Sequence, residues 1–137
     1  RERDQAELVL LPVSNNANVT RAYGGSHWSL LIYRRAIDRF EHHDSMQPAN
    51  RACAAAVAQC LQPALAASSA RVHAACTPQQ RNAHDCGLYV LAISERVLRA
   101  HVGGKPVELH SLTPEHVAEL RHHVLLTMDA YSADQAV

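Results

Sequence analysis

The stretch Gln79–Leu91, QQRNAHDCGLYVL, sets a cluster of polar side chains directly against an apolar run. Buried polar groups cost free energy unless they are paired, so Gln80, Asn82 and Asp85 need partners or a task beside the Cys86–Gly87 pair. From Cys86 the chain reads as a helix to Ala100, apolar on most sides near its start and so central to the fold; Gly103 and Gly104 end it. Cys86 falls in the first helical turn, where unpaired backbone N–H groups stabilise negative charge on sulfur. Gly87 leaves the approach to that sulfur open. Gln80 offers a side-chain amide able to donate to a developing oxyanion, Asn82 and Asp85 can tie down the loop, and His84 adds a further polar group. A cysteine here can equally be a small buried hydrophobe, the reading given to Cys53 and Cys60 on their alanine-rich helix.

Upstream, Glu7–Val13 reads as a short buried strand and Ser14–Ser26 as a polar loop rich in Asn, Ser and Gly. A loop of that length is long for a compact domain and tends to be functional or mobile. His27–Tyr33 and Arg39–Asp44 read as strands joined by about five residues, which favours an antiparallel hairpin. Folding about Ala36 brings His27 opposite the Asp44–Ser45 end, within reach of a His–carboxylate hydrogen bond. Such an Asp fixes the imidazole tautomer and supports the imidazolium that forms when the other nitrogen takes a proton. Read on the hairpin alone, His27 can as well simply open a strand and Asp44 cap a turn.

Between these motifs, Asn50–Ala67 reads as a helix with Asn50 as N-cap, with Val57, Leu61 and Leu65 on one face and Pro63 kinking or shortening its last turn. Arg71–Cys76 is a further strand. Thr113-Pro114-Glu115 opens a last helix to about Met128. A Cys nucleophile, a His base and an orienting acid spread along one chain suit nucleophilic acyl transfer.

Bulk composition narrows the field. At 137 residues the chain favours one domain, and 13 basic against 13 acidic residues give no footprint for nucleic acid. The apolar stretches are too short to span a bilayer, so no membrane partner is expected. The opening RERDQAELVL carries neither Met nor signal peptide, which suggests a domain cut from something longer. Four cysteines at unequal spacing, without Cys-x-x-Cys, fit a reducing cytoplasm or nucleus better than a disulfide framework. The ten histidines show no ligand spacing, so no metal and no cofactor are expected.

GGSHWSLLIY, FEHHDS and QQRNAHDCGLYVL, in that order, resemble the sentrin/ubiquitin-like-protein-specific cysteine proteases. The match runs from about Leu8 to the last helix. Within the family it looks most like the deneddylases, through the Asn-rich loop ending in Gly24-Gly25, the HWSLL strand and LTPEHV at the final helix. The resemblance implies an α+β, papain-like (adenoviral-protease-like) fold, with a small mixed sheet packed against a central helix bearing the nucleophile. It implies Cys86 as nucleophile, His27 as base, Asp44 as its orienting partner, and Gln80 with the Cys86 N–H as oxyanion hole. Trp28 would roof a channel for a C-terminal Gly-Gly tail, and Gly24 and Gly25 would let the preceding loop close over it. The implied partners are a ubiquitin-like modifier, of Nedd type, and its lysine conjugates, met by a monomeric enzyme whose domain (residues 1–137) lacks its N-terminal portion. His84 stands where relatives often carry Tyr, Ser or Gly. The alternatives are a protease for the SUMO-type modifier, an acyltransferase sharing the catalytic order, and an inactive module that holds a modifier tail without cutting it.

Overall fold

A computed structural model describes residues 6–18, 20–21 and 24–134, so residues 19, 22 and 23 of the predicted loop lie outside the described residues. Four strands, β1 (Leu8–Ser14), β2 (Trp28–Arg34), β3 (Arg39–His43) and β4 (Val72–Ala74), form one sheet in the order β1-β2-β3-β4. The first two pairings are antiparallel, and β3–β4 is parallel. A parallel neighbour requires a crossover. Helix α1 (Arg51–Leu65) supplies it, followed by α2 (Cys86–Gly103) and α3 (Pro114–Asp134).

The unbroken apolar run in β2 follows from its central place. Leu30 and Ile32 point to one face, where they pack with Tyr89, Val90, Ile93 and Val97 of α2 and Val117 of α3. Leu31 and Tyr33 point to the other, against Phe40 of β3 and Ala54 and Ala58 of α1. A strand covered on both faces has no use for polar alternation. Each fully buried side chain of this kind contributes roughly 1.5–3 kcal/mol. The sheet is thus sandwiched between α1 and the α2–α3 pair. The opposite side of α2 leaves Leu91 and Leu98 exposed.

Four local expectations change. Asn50 is the residue before α1, but its side chain makes no capping bond. It is fully buried and donates instead to Val13 O at 3.0 Å and Ser29 Oγ at 3.1 Å, because the helix start lies against the interior of β1–β2. Helix α1 runs through Pro63 to Leu65 and ends on Ala66 in the left-handed region (φ 51°). A proline this late forfeits only a bond near the helix end, where fraying makes it cheap. Cys60 is exposed and Cys53 half-buried, since the small faces turned inward on α1 are Ala54 and Ala58. Helix α3 extends past Met128 to Asp134, and α2 ends where Gly104 adopts φ 59°.

No helix among the described residues is long and apolar enough to cross a membrane. No group of three or more His, Cys, Asp or Glu among them is placed to hold a metal ion.

Candidate active site

The β2–β3 register pairs Leu30 with His43, which leaves His27 and Asp44 just beyond the same end of the hairpin. Both are buried, and His27 Nε2 lies 2.7 Å from Asp44 Oδ1. Asp44 is held from other sides as well: Met46 N–H donates to Oδ1 at 2.9 Å and Asn50 N–H to Oδ2 at 2.9 Å. Burial alone would disfavour its charge; the Asn50 N–H, the His27 imidazole and the Met46 N–H outweigh that and hold the carboxyl below the ordinary Asp range. An ionised carboxylate can only accept, so the His27 proton sits on Nε2. Nδ1 is then the basic nitrogen, and it is buried without a hydrogen-bond partner.

The backbone around His27 is fixed by the Asn-rich loop. Asn15 Oδ1 accepts N–H bonds from Ser26 at 2.8 Å and His27 at 3.1 Å, and Asn15 Nδ2 donates to Ser26 Oγ at 3.0 Å. Asn16 holds the turn itself, accepting from Asn18 N–H and donating to Arg21 O. Gly24 and Gly25 sit inside this web. A Cβ on Gly24 would collide with the Asn16 side-chain amide, and one on Gly25 with the Ser14 hydroxyl. Trp28, the first residue of β2 and next in the chain to His27, is 46% exposed.

From the Asp44 side a second strip of contacts leads to the start of α2. Gln79 Nε2 donates to Asp44 O at 2.9 Å, and Gln80 N–H donates to Ser45 O at 2.8 Å. Gln80 Nε2 donates to Asn82 O. Asn82 Oδ1 accepts from Asp85 N–H at 2.9 Å and from His84 N–H at 3.0 Å, while its Nδ2 donates to Asp85 Oδ2 at 2.6 Å. Arg121 of α3 pairs with the other Asp85 oxygen. Burial opposes ionisation of Asp85, yet the Asn82 amide and the Arg121 guanidinium keep its carboxyl below the usual range. Asp85 is the residue before α2, and Cys86 opens that helix, 7% exposed.

The structure therefore joins His27 to Asp44 directly and ties Gln80 and the Cys86 loop to Ser45, the next residue. The thiol and the imidazole are not hydrogen-bonded to each other, since Nδ1 has no partner. Catalytic pairs of this kind often tighten only when substrate binds. His84 is exposed and reaches the loop through its backbone alone. Sequence reasoning missed Asn50, Ser45 and Arg121. Of these, only Ser45, adjacent to Asp44 in FEHHDS, stood in a motif that could have marked it.

Comparison with known proteins follows the same lines. The family described as "Ulp1 protease family, C-terminal catalytic domain" matches residues 4–136. NEDD8-specific protease 1 of Arabidopsis thaliana is 42% identical over 88 residues, covering 63% of this chain and 38% of that protein. Sentrin-specific protease 8 of Homo sapiens is 32% identical over 117 residues, covering 83% of this chain and 54% of its own length. The chain thus spans about half or less of the relatives it matches. A solved structure of the SUMO protease Ulp1, with its catalytic cysteine oxidised to a sulfenic acid, superposes with a TM-score of 0.61 over 90% of this chain and 54% of that one, at 18% identity. That likeness establishes the α+β fold with its small mixed sheet and central helix. With nearly every residue matched by its catalytic-domain profile, the chain belongs to the Ulp1 family of cysteine proteases.

Proposed function

We propose that this chain, as a single catalytic domain, hydrolyses the peptide or isopeptide bond after the C-terminal Gly-Gly of a ubiquitin-like modifier of Nedd type. The observation that carries the reading is the buried His27–Asp44 pair, whose one unpartnered nitrogen, Nδ1, is left as the base. Its place in the chain order His27, Asp44, Gln80, Cys86 supports the assignment of roles.

In this reading Cys86 Sγ attacks the terminal Gly carbonyl carbon, and His27 Nδ1 takes the thiol proton. The carbonyl oxygen becomes an oxyanion, met by the Cys86 N–H and by the Gln80 Nε2 hydrogen not spent on Asn82. The imidazolium, stabilised by Asp44, returns its proton to the leaving amine as the C–N bond breaks, giving a thioester. Water, deprotonated by His27, then attacks the thioester carbonyl, and the departing sulfur regains a proton. A tail without side chains is what can lie under the Trp28 indole and still bring its carbonyl to the sulfur. Gly24 and Gly25, on the loop before His27, would border that tail.

The Nedd-type assignment is supported by the Arabidopsis thaliana relative, whose name specifies NEDD8. The enzyme would act as a monomer on the modifier and its lysine conjugates, without metal or cofactor, and without nucleic acid or membrane as partner. A cytoplasmic or nuclear setting suits its four free cysteines. The test is turnover of Nedd-type and SUMO-type modifier–fluorophore fusions by the wild-type chain and by Cys86→Ala. Faster release from the Nedd-type fusion, abolished by Cys86→Ala, is expected. Preference for the SUMO-type fusion reassigns the modifier, and tight binding without release reduces the chain to a holding module.

A further inference from the structure

Ser45 follows the dyad carboxylate in the chain and is buried. Its carbonyl accepts the Gln80 N–H at 2.8 Å, and its hydroxyl donates to Gln80 Oε1 at 2.6 Å. The other end of the same amide, Nε2, donates to the backbone carbonyl of Asn82. A backbone carbonyl only accepts, so the nitrogen must face Asn82 and the oxygen must face Ser45. The amide oxygen in turn only accepts, so the Ser45 hydroxyl has to be the donor. With both ends engaged, the amide plane is set and the direction of the second Nε2 hydrogen is set with it. Released at the oxygen end, the amide would turn about its terminal torsion, whose energy wells are broad.

We propose that Ser45 is a positioning residue for oxyanion stabilisation: its hydroxyl locks the Gln80 amide so that the free Nε2 hydrogen is already aimed when the tetrahedral intermediate forms. The inference rests on the roles given above to Gln80 and Cys86. It assigns Ser45 to two halves of the site at once, since one residue follows Asp44 in the turn after β3 and orients the group that meets the oxyanion. Preorganised donors of this sort act without reorganisation at the moment of reaction, which is where their catalytic value lies.

Ser45→Ala, Ser45→Thr, Gln80→Ala and the double variant Ser45→Ala/Gln80→Ala should be compared in the full chain. The readouts are kcat and KM on a Nedd-type modifier–fluorophore fusion, and the rate at which iodoacetamide alkylates Cys86. Alkylation is displacement at a saturated carbon and develops no oxyanion. Ser45→Ala is expected to lower kcat roughly 10- to 100-fold with KM little changed. Ser45→Thr, which keeps the hydroxyl, should recover most of that loss. Alkylation should proceed at the wild-type rate, and in the Gln80→Ala background the serine change should cost nothing more. Full kcat in Ser45→Ala beside a crippled Gln80→Ala overturns the positioning role and leaves the site assignment standing. Equal losses in turnover and alkylation also overturn it, because they report general disorder at Cys86. An unaffected Gln80→Ala removes the oxyanion assignment and the inference with it. A readout free of turnover is the Gln80 side-chain amide in NMR. Its two proton resonances should be well separated in the wild type and should draw together in Ser45→Ala; unchanged separation contradicts the lock.

Discussion

His27 Nε2 and Asp44 Oδ1 lie 2.7 Å apart in a buried pair, with the N–H groups of Met46 and Asn50 also donating to the carboxylate. Three donors converge on one acceptor, so the imidazole has a single consistent tautomer. Asp44→Asn would turn an amide N–H₂ toward groups that are already donors, or flip to satisfy them through one oxygen only. The first arrangement sets a donor against His27 Nε2 and loses the tautomer; the second keeps an oxygen there but faces the Asn50 N–H with a donor, and neither supplies the negative charge that supports the imidazolium. We expect kcat/KM on a modifier–fluorophore fusion to fall roughly 10²- to 10⁴-fold while the circular dichroism spectrum stays native. Undiminished kcat/KM would remove the carboxylate from the mechanism.

Asn50 is expected to matter for stability more than its place before a helix suggests. Its side chain is fully buried and donates to Val13 O and Ser29 Oγ, with His27 O at 3.4 Å, so it fastens β1 and β2 to the start of α1. Asn50→Ala removes the side-chain donor from buried Val13 O, at about 1–3 kcal/mol for a group so stranded, while Ser29 Oγ keeps His42 Nε2 at 2.9 Å. Urea unfolding should show a loss of about 1–3 kcal/mol. A change below about 0.5 kcal/mol, the size of an ordinary surface substitution, would mean that the clamp is not formed in solution.

His43 makes stability depend on pH in a defined direction. Burial pushes its imidazole down from 6.5 to about 4; Glu41 nearby works against this, and Arg34 and His42 work with it. Thr77 Oγ1 donates to Ala75 O at 3.1 Å and lies 3.3 Å from His43 Nδ1, so the neutral ring carries its proton on Nδ1. The unfolded chain titrates near 6.5 and therefore binds more protons than the folded one between pH 6.5 and about 4. The contribution is fully present above pH 6.5 and is lost as pH falls through that window, on the order of 3 kcal/mol in all. Urea midpoints of the wild type should drop between pH 7 and pH 5, and His43→Gln should flatten the drop. A His43→Gln profile as steep as the wild type would show that other groups govern it.

The parts of this molecule that were legible in its sequence are those set by local pattern. The continuous apolar run at Leu30–Tyr33 announces a strand covered on both faces, and the short connection after it announces the hairpin that delivers His27 to Asp44. The order of the three motifs was enough to suggest the fold. What was not legible is the choice of partner for a polar side chain far along the chain. Asn50 has the residue type and position of a cap, yet its amide turns inward, where Val13 O of β1 and Ser29 Oγ of β2 accept from it. Arg121 meets Asp85 across 36 residues of sequence, which no periodicity in either segment encodes. Ser45 meets Gln80 across 35 residues, with the same consequence. Cys60 turns outward because only every third or fourth residue of α1 faces the sheet.

The most direct measurement of the central claim is covalent capture of the intact chain by a Nedd-type modifier bearing a C-terminal propargyl warhead, followed by mass spectrometry of the adduct. The account predicts one adduct, on Cys86, absent in Cys86→Ala. A folded chain that forms no adduct, or that is labelled on Cys53, Cys60 or Cys76 instead, would contradict it.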